Sequence, residues 1–256
     1  MLRRAGPSRG EVERLAREAE PAFEAIVAAG GDGTVNAVVN GLAGRSLPVG
    51  VLPLGSANVL AREIRLPRDP EALAVLIAAG PASPIWPGRI GARLFVVMAS
   101  AGFDSEIVAA VSARLKRRAG RLAFGWAFLV RLWRYRVCEL TIRADGIEHR
   151  AAAVIAANAR HYAGPFVVAP GADLAQPAFE LVLFRRGGRW AVLRAASALL
   201  LGRLPRLGEV TLLRARQLTI SADRPLPVQA DGEIVGELPV TIEVADRPLL
   251  LIRPSD

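Results

Sequence analysis

The spacing of apolar positions changes period several times within the first eighty residues. Residues 10–20 set small and apolar positions at helical intervals among Arg and Glu, with Pro21 behind them, which predicts a short helix. Residues 23–29 form a continuous apolar run ending in glycines, the pattern of a buried parallel strand. From Thr34 the spacing is helical again: Val35, Val38, Val39 and Leu42 share one face, with Gly41 and Gly44 near its end. The unit of strand, glycine turn and helix then repeats, with a strand at 48–52, a turn "PLGSAN" and a helix from 59 to 64 that Pro67 stops. Residues 69–79 predict a third helix, with Asp69 as its cap and Pro70 at its first position. Such alternation implies a small parallel α/β layer with its ligand crevice at the carboxyl ends of the strands, where both glycine turns open.

Beyond residue 80 the period shortens to that of strands. Residues 93–100, 138–143, 151–158, 179–184, 217–221, 226–230 and 238–244 are short, often alternating and bounded by Gly, Pro, Asp or Asn. They predict an antiparallel sheet or sandwich, interrupted by helical insertions at 105–135 and 190–201. The fold class is therefore α/β plus β: an α/β nucleotide-binding domain over 1–84, a β-rich domain over 85–245, and residues 246–256 packing back on the first. In the first insertion the apolar run "LAFGWAFLVRLW" is 12 residues long and contains Arg131. A bilayer span needs about 20. Its basic, aromatic flanks "RLKRRAGR" and "RYR" suit a helix lying on a membrane surface, and equally a core-packing helix with solvated arginines.

Composition narrows the picture. Hydrophobic residues at 52% and charged residues at 22% supply a core and exclude wholesale disorder. The net charge of +9 rests on 33 basic residues, all arginine except Lys116, and attracts nucleotides, nucleic acid or an anionic bilayer alike. No nucleic-acid reader motif is visible, so nucleic acid is not an expected partner. Cys138 is the only cysteine, which excludes an internal disulfide and a cysteine-rich metal cluster. Residues 1–10 do not read as a signal peptide, and the expected location is cytoplasmic, peripheral at the inner membrane face. With only His149 and His161, a Ser-His-Asp relay has little to work with.

The chemistry-bearing candidates sit in the turns. Gly30, Gly31 and Gly33 let backbone approach phosphate oxygens at a helix N-terminus; Asp32 can hold Mg²⁺ or take a proton, and Thr34 adds a hydroxyl. Gly55, Ser56 and Asn58 offer a second polar turn at the end of the next strand, positioned to face the first across a nucleotide. Alone, each is also an ordinary tight connection between strand and helix.

"GGDGTVNAVVNGL" followed by "VGVLPLGSANVLAREIRLP" resembles the diacylglycerol kinase catalytic-domain family, which includes bacterial lipid kinases, ceramide kinases and sphingosine kinases. The first motif is shared with NAD kinases; the pair is specific to the lipid-kinase branch. "SAGFDSEIV", "ANARHYAGPFVVAPGADL" and "VQADGEIVGELPVTIEV" extend the resemblance toward the C-terminus. It implies an NAD-kinase-like α/β domain, a β-rich domain, and transfer of the γ-phosphate of ATP, with Mg²⁺, to a hydroxyl of diacylglycerol or a related lipid bound between them. Carried over, residues 30–34 hold the phosphates, with Ser56 and Asn58 completing the nucleotide site. Asp231 and Glu233 match the Asp-Gly-Glu motif, with Asp231 as general base and Asp32 as a phosphate and Mg²⁺ group. The sphingosine-kinase branch gives the base role to Asp32 instead. Asp231 and Glu233 would share a face on a strand, unless Gly232 turns the chain. Asp104 and His161 fall in segments that contact the lipid head group, with a helix cap and a loop histidine as the plainer readings. Expected partners are ATP, the lipid, an anionic membrane surface and a second copy in a homodimer.

Two departures bear on activity. The family opens with a strand and an Asn-Pro-x-Ser-Gly turn, whereas the first match here is the helix that follows, so the expectation is a nucleotide pocket shortened at its N-terminal edge. Ala175, Gln176 and Pro177 stand where bacterial members carry two aspartates and a glycine, so their structural Mg²⁺ site is expected to be lost. These departures keep open an alternative: a catalytically impaired nucleotide-binding or regulatory member.

Overall fold

The computed structural model describes residues 8–111 and 121–255. Helix α1 (Arg9–Arg17) is capped by Ser8, whose side chain accepts from the Glu11 amide. Strand β1 (Ile26–Gly30) leads into α2 (Asp32–Gly41), and β2 (Val49–Pro53) into α3 (Val59–Glu63), so both predicted strand–turn–helix units form. Helix α4 (Pro70–Ala79) starts at the expected cap, with Asp69 accepting from the Ala72 amide at 2.8 Å. The first sheet closes with β3 (Ala82–Ile85).

The β-rich part begins with β4 (Gly88–Ile90), β5 (Arg93–Phe95) and β6 (Met98–Ala101). The predicted strand 93–100 is thus two strands, because the chain crosses between sheets at Val96 and Val97. Among the described residues the first insertion forms α5 (Phe103–Ala110) and α6 (Arg121–Arg134); the lysine-containing part of its basic flank lies outside them. Then come β7 (Leu140–Ala144), β8 (Ile147–Ala151), β9 (Ala153–Ala157) and a two-residue hairpin of β10 (His161–Tyr162) and β11 (Phe166–Val167). Strand β12 (Phe179–Phe184) precedes α7 (Arg189–Leu200) and β13 (Val210–Ala215). The remainder is β14 (Gln217–Ala222), β15 (Pro227–Ala230), β16 (Glu233–Glu237), β17 (Val240–Val244) and β18 (Leu249–Ile252).

Two six-stranded sheets, ordered β13-β12-β9-β6-β15-β16 and β5-β4-β17-β14-β7-β8, face each other as a sandwich. Alternation along β12 shows why: Phe179, Leu181 and Leu183 point into the sandwich core, and the Phe179 ring stacks on Phe95 at 5.7 Å. Val182, on the other face, joins a second core. That core also holds Ala28, Val35 and Val38 of the α/β layer, so the sheet β13-β12-β9-β6-β15-β16 is buried on both sides. Strand β18 returns to the first sheet, giving the order β1-β2-β18-β3.

Candidate active site

Strand β1 delivers Gly30 to the first turn, and a Cβ there would lie 2.3 Å from Thr34 Oγ1, so the threonine side chain occupies the space that a larger residue would need. Helix α2 starts at once. The Thr34 and Val35 amides bond back to the Gly31 carbonyl at 2.8 and 3.2 Å, while a first helical turn leaves its leading amides without intrahelical acceptors, at the positive end of the dipole. In the second turn Asn58 is left-handed (φ 48°) and spends its side chain locally, accepting from the Gly55 amide at 3.0 Å and donating to the Gly55 carbonyl at 2.7 Å. Asp32 ties the turns together: its Oδ1 accepts from the Leu60 amide of α3 at 3.1 Å.

The turns do not stand apart across a gap, as the sequence suggested. They abut, so closely that a Cβ on Gly55 would come within 2.4 Å of the Gly31 Cα. Both line one side of a cavity of about 850 Å³, to which Gly31, Asp32, Gly33, Thr34, Gly55 and Ser56 contribute. Any ligand held by both turns would therefore lie along them rather than between them.

Asp231 reaches this cavity from the β-rich part. It sits at the tip of the β15–β16 hairpin, where Asp231 (φ 48°) and Gly232 (φ 78°) are both left-handed, as a two-residue hairpin turn requires. Gly232 therefore turns the chain, and the shared face for Asp231 and Glu233 does not exist. The Asp231 carboxylate enters the β5–β6 crossing: Oδ1 accepts from the Val97 and Met98 amides at 2.8 and 3.1 Å. Its Oδ2 accepts from the Val96 amide at 2.8 Å and from Asn36 Nδ2 at 2.9 Å. Burial pushes its pKa above the usual carboxylate value, opposed by the Val96, Met98 and Val97 amides and by Asn36. Glu233 pairs instead with Arg9.

Three residues of this arrangement escape sequence reasoning. Asn36 and Asn40 are buried on α2, and both donate to the Leu94 carbonyl, at 3.0 and 2.9 Å, clipping α2 to β5. Their signal was present as two amides four residues apart inside an apolar helix. Arg9 left no local signal: its guanidinium lies against Gly33 and lines the cavity, with burial and Arg93 lowering its pKa against the pull of Asp231.

Away from the turns the cavity is apolar, with Phe103, Ile107, Phe128, Phe166, Val192 and Leu199 in its wall. One polar line crosses it. Asp104 accepts from Ser100 Oγ at 2.5 Å, from Gln229 Nε2 at 3.0 Å and from the Tyr162 hydroxyl. Gln229 Oε1 in turn accepts from the Gly232 amide at 2.9 Å, joining this line to the Asp231 turn. Burial and the adjacent Asp104 hold the Tyr162 pKa well above its usual value. Asp104 does not cap α5, whose N-cap is Gly102. His161, expected at the lipid, is instead drawn to a carboxylate outside the cavity wall: its Nδ1 lies 2.5 Å from Glu63 Oε2. Among the described residues no three His, Cys, Asp or Glu side chains lie grouped for a metal.

Residues 97–253 match the YegS C-terminal NAD kinase beta sandwich-like domain, and residues 4–90 match the diacylglycerol kinase catalytic domain. The chain belongs to the diacylglycerol kinase family. It is 31% identical over 250 residues to a diacylglycerol kinase of Mycobacterium tuberculosis (strain ATCC 25618 / H37Rv), covering 94% of this chain and 80% of that one. A probable lipid kinase YegS-like protein of Chromohalobacter salexigens is 34% identical over 235 residues, covering 88% of this chain and 74% of that protein. The fold agrees: the crystal structure of a diacylglycerol kinase from Bacillus anthracis str. Sterne superposes with a TM-score of 0.72 at 16% identity, covering 97% of this chain and 83% of that one. Among the described residues no helix is long and apolar enough to cross a membrane.

Proposed function

We propose that this member of the family is an ATP-dependent lipid kinase that transfers the γ-phosphate to a hydroxyl of diacylglycerol or a related lipid. The observation that carries the reading is one cavity with a phosphate-type end and an apolar end, and a buried carboxylate at their junction. Residues 30–34, with Gly55 and Ser56, present amides and hydroxyls to the phosphates; Arg9, lying against Gly33, adds a cation at that end of the cavity. The acyl chains occupy the apolar wall, and Asp104, held by Ser100, Gln229 and Tyr162, orients the acceptor head group.

Asp231 takes the proton of the attacking hydroxyl. Burial raises its proton affinity, and Asn36 is the one side chain among its four donors, the other three being backbone amides. The lipid oxygen bonds to the γ-phosphorus as the bond from that phosphorus to the β,γ-bridging oxygen breaks, leaving ADP. Asp32 is the carboxylate placed to hold Mg²⁺: a single carboxylate combined with substrate phosphates is a usual setting for this ion, which would neutralise phosphate charge. Glu233 acts through Arg9, whose guanidinium it positions.

Transfer of labelled γ-phosphate to diacylglycerol, followed for the wild type, Asp231→Asn and Arg9→Ala, tests the assignment. The expected result is loss of at least ~100-fold in Asp231→Asn with nucleotide binding kept, and a raised ATP KM in Arg9→Ala. A wild-type protein that binds nucleotide and phosphorylates no lipid would instead establish the regulatory reading.

A further inference from the structure

We propose that the outward faces of α6 and α7 form a docking surface for an anionic bilayer, which presents its lipids to the cavity mouth between them. The inference rests on the lipid-kinase reading of the cavity.

Seven of the twelve large hydrophobic residues exposed among the described ones fall on these two helices or within three residues of their ends: Trp126, Leu129, Trp133, Val137, Trp190, Leu200 and Leu201. Trp126, Leu129 and Trp133 are spaced three and four apart, on one face of α6, and are 66%, 59% and 75% exposed. The opposite face is used for packing: Ala127, Phe128 and Leu132 rest on Phe103 and Ile107 of α5. Helix α6 is thus both a packing helix and a surface helix, with tryptophans outward. On α7, Trp190 is 82% exposed. The Arg189 guanidinium lies 5.1 Å from the Trp133 ring centroid and donates to the Trp133 carbonyl, fastening the two helices into one surface.

This surface is also the rim of the cavity. Gly125 on α6, Arg186 before α7 and Leu200 at the end of α7 are each both exposed and part of the cavity lining. A lipid leaving a membrane at this rim passes from one apolar environment to another.

Charge selects the occupant. Segments 125–138 and 185–208 together carry nine arginines and no Asp or Glu. One of these, Arg194, is paired with Glu209. A second copy docked face to face would set this positive surface against itself, whereas anionic head groups neutralise it. Indole rings ringed by arginine are suited to the head-group layer, where one edge is apolar and the other wet.

The test uses the full chain with sonicated vesicles of phosphatidylcholine alone or with about one-third phosphatidylglycerol. Wild-type protein should sediment with the anionic vesicles and be released by salt, and Trp126→Ser/Trp133→Ser/Trp190→Ser should bind at least ~10-fold more weakly. Trp190→Ser alone, at the most exposed position, covers the case in which the triple variant does not fold. The triple variant should lose phosphorylation of vesicle-borne diacylglycerol yet keep that of a monomeric short-chain diacylglycerol, because none of the three tryptophans lines the cavity. Vesicle binding unchanged in the triple variant overturns the proposal. So does a wild type that ignores vesicles and forms a dimer that the triple variant dissolves. If no lipid is phosphorylated by the wild type while vesicle binding still depends on the three tryptophans, the docking surface stands and the kinase reading falls.

Discussion

At Asp231 two opposed effects meet in one carboxylate. Its four accepted hydrogen bonds fill all the lone-pair positions a carboxylate offers, three of them with amides that the β5–β6 crossing cannot satisfy within either sheet. Asparagine keeps the shape but offers one oxygen, and its own NH₂ would face two of those donors. Asp231→Asn is therefore expected to lose about 2–4 kcal/mol of stability through unsatisfied buried donors. Burial raises the native pKa of Asp231 above its ordinary value of 3.8, so its contribution to stability is full below that value and is lost as pH rises through the native pKa. Asparagine does not titrate. Urea unfolding from acid toward neutral pH should thus show the gap between wild type and variant widest in acid and narrowing upward. A gap that widens with pH would show that the four donors outweigh burial.

Between elements, the junction of α3 with β10 depends on one buried side chain. Glu63 accepts from Arg160 Nε at 2.8 Å and from the Arg160 and His161 amides at 3.1 Å each, besides its contact with the His161 ring. Glu63→Ala strands these donors and should lower stability by about 3 kcal/mol, read as a drop in melting temperature, with Glu63→Gln losing less. A melting temperature unchanged in Glu63→Ala would mean that solvent replaces the carboxylate. This contact also shows what the sequence could convey. The repeated strand–turn–helix units and the Asp69 cap were legible because spacing and capping act over a few residues. The glycine turns were legible as turns between strand and helix, but their direct contact through Gly31 and Gly55 was not. The strand expected over 93–100 is apolar from Leu94 to Ala99, and nothing in that run marks where it leaves one sheet for the other; the mark is Asp231, 133 to 135 residues away. The contact of His161 was illegible for the same reason, since its partner Glu63 lies 98 residues earlier. Strand β13 escaped notice because most of its positions are half-buried, which blurs alternation.

Across the whole molecule the chain's two ends meet in one sheet. Leu251 of β18 pairs with Val49 of β2, and Leu249 with Ile85 of β3, so the α/β layer is completed by the last strand. The core beneath it continues without interruption into the outer face of the β-rich sheet, joining Val38 and Leu251 to Ile155 and Val182. A cleft whose two walls share a core cannot lose one wall and keep the other. Leu251→Ala, at a position only 2% exposed, should lower stability by about 2–5 kcal/mol. Where that loss is read decides the matter. All four tryptophans, Trp86, Trp126, Trp133 and Trp190, lie beyond residue 84, whereas β1 and β2 lie before it. If the molecule unfolds as one unit, tryptophan fluorescence and amide exchange in β1 and β2 will report the same shifted denaturation midpoint for Leu251→Ala. Two independent domains would instead leave the fluorescence midpoint where it was and accelerate exchange in the first sheet alone.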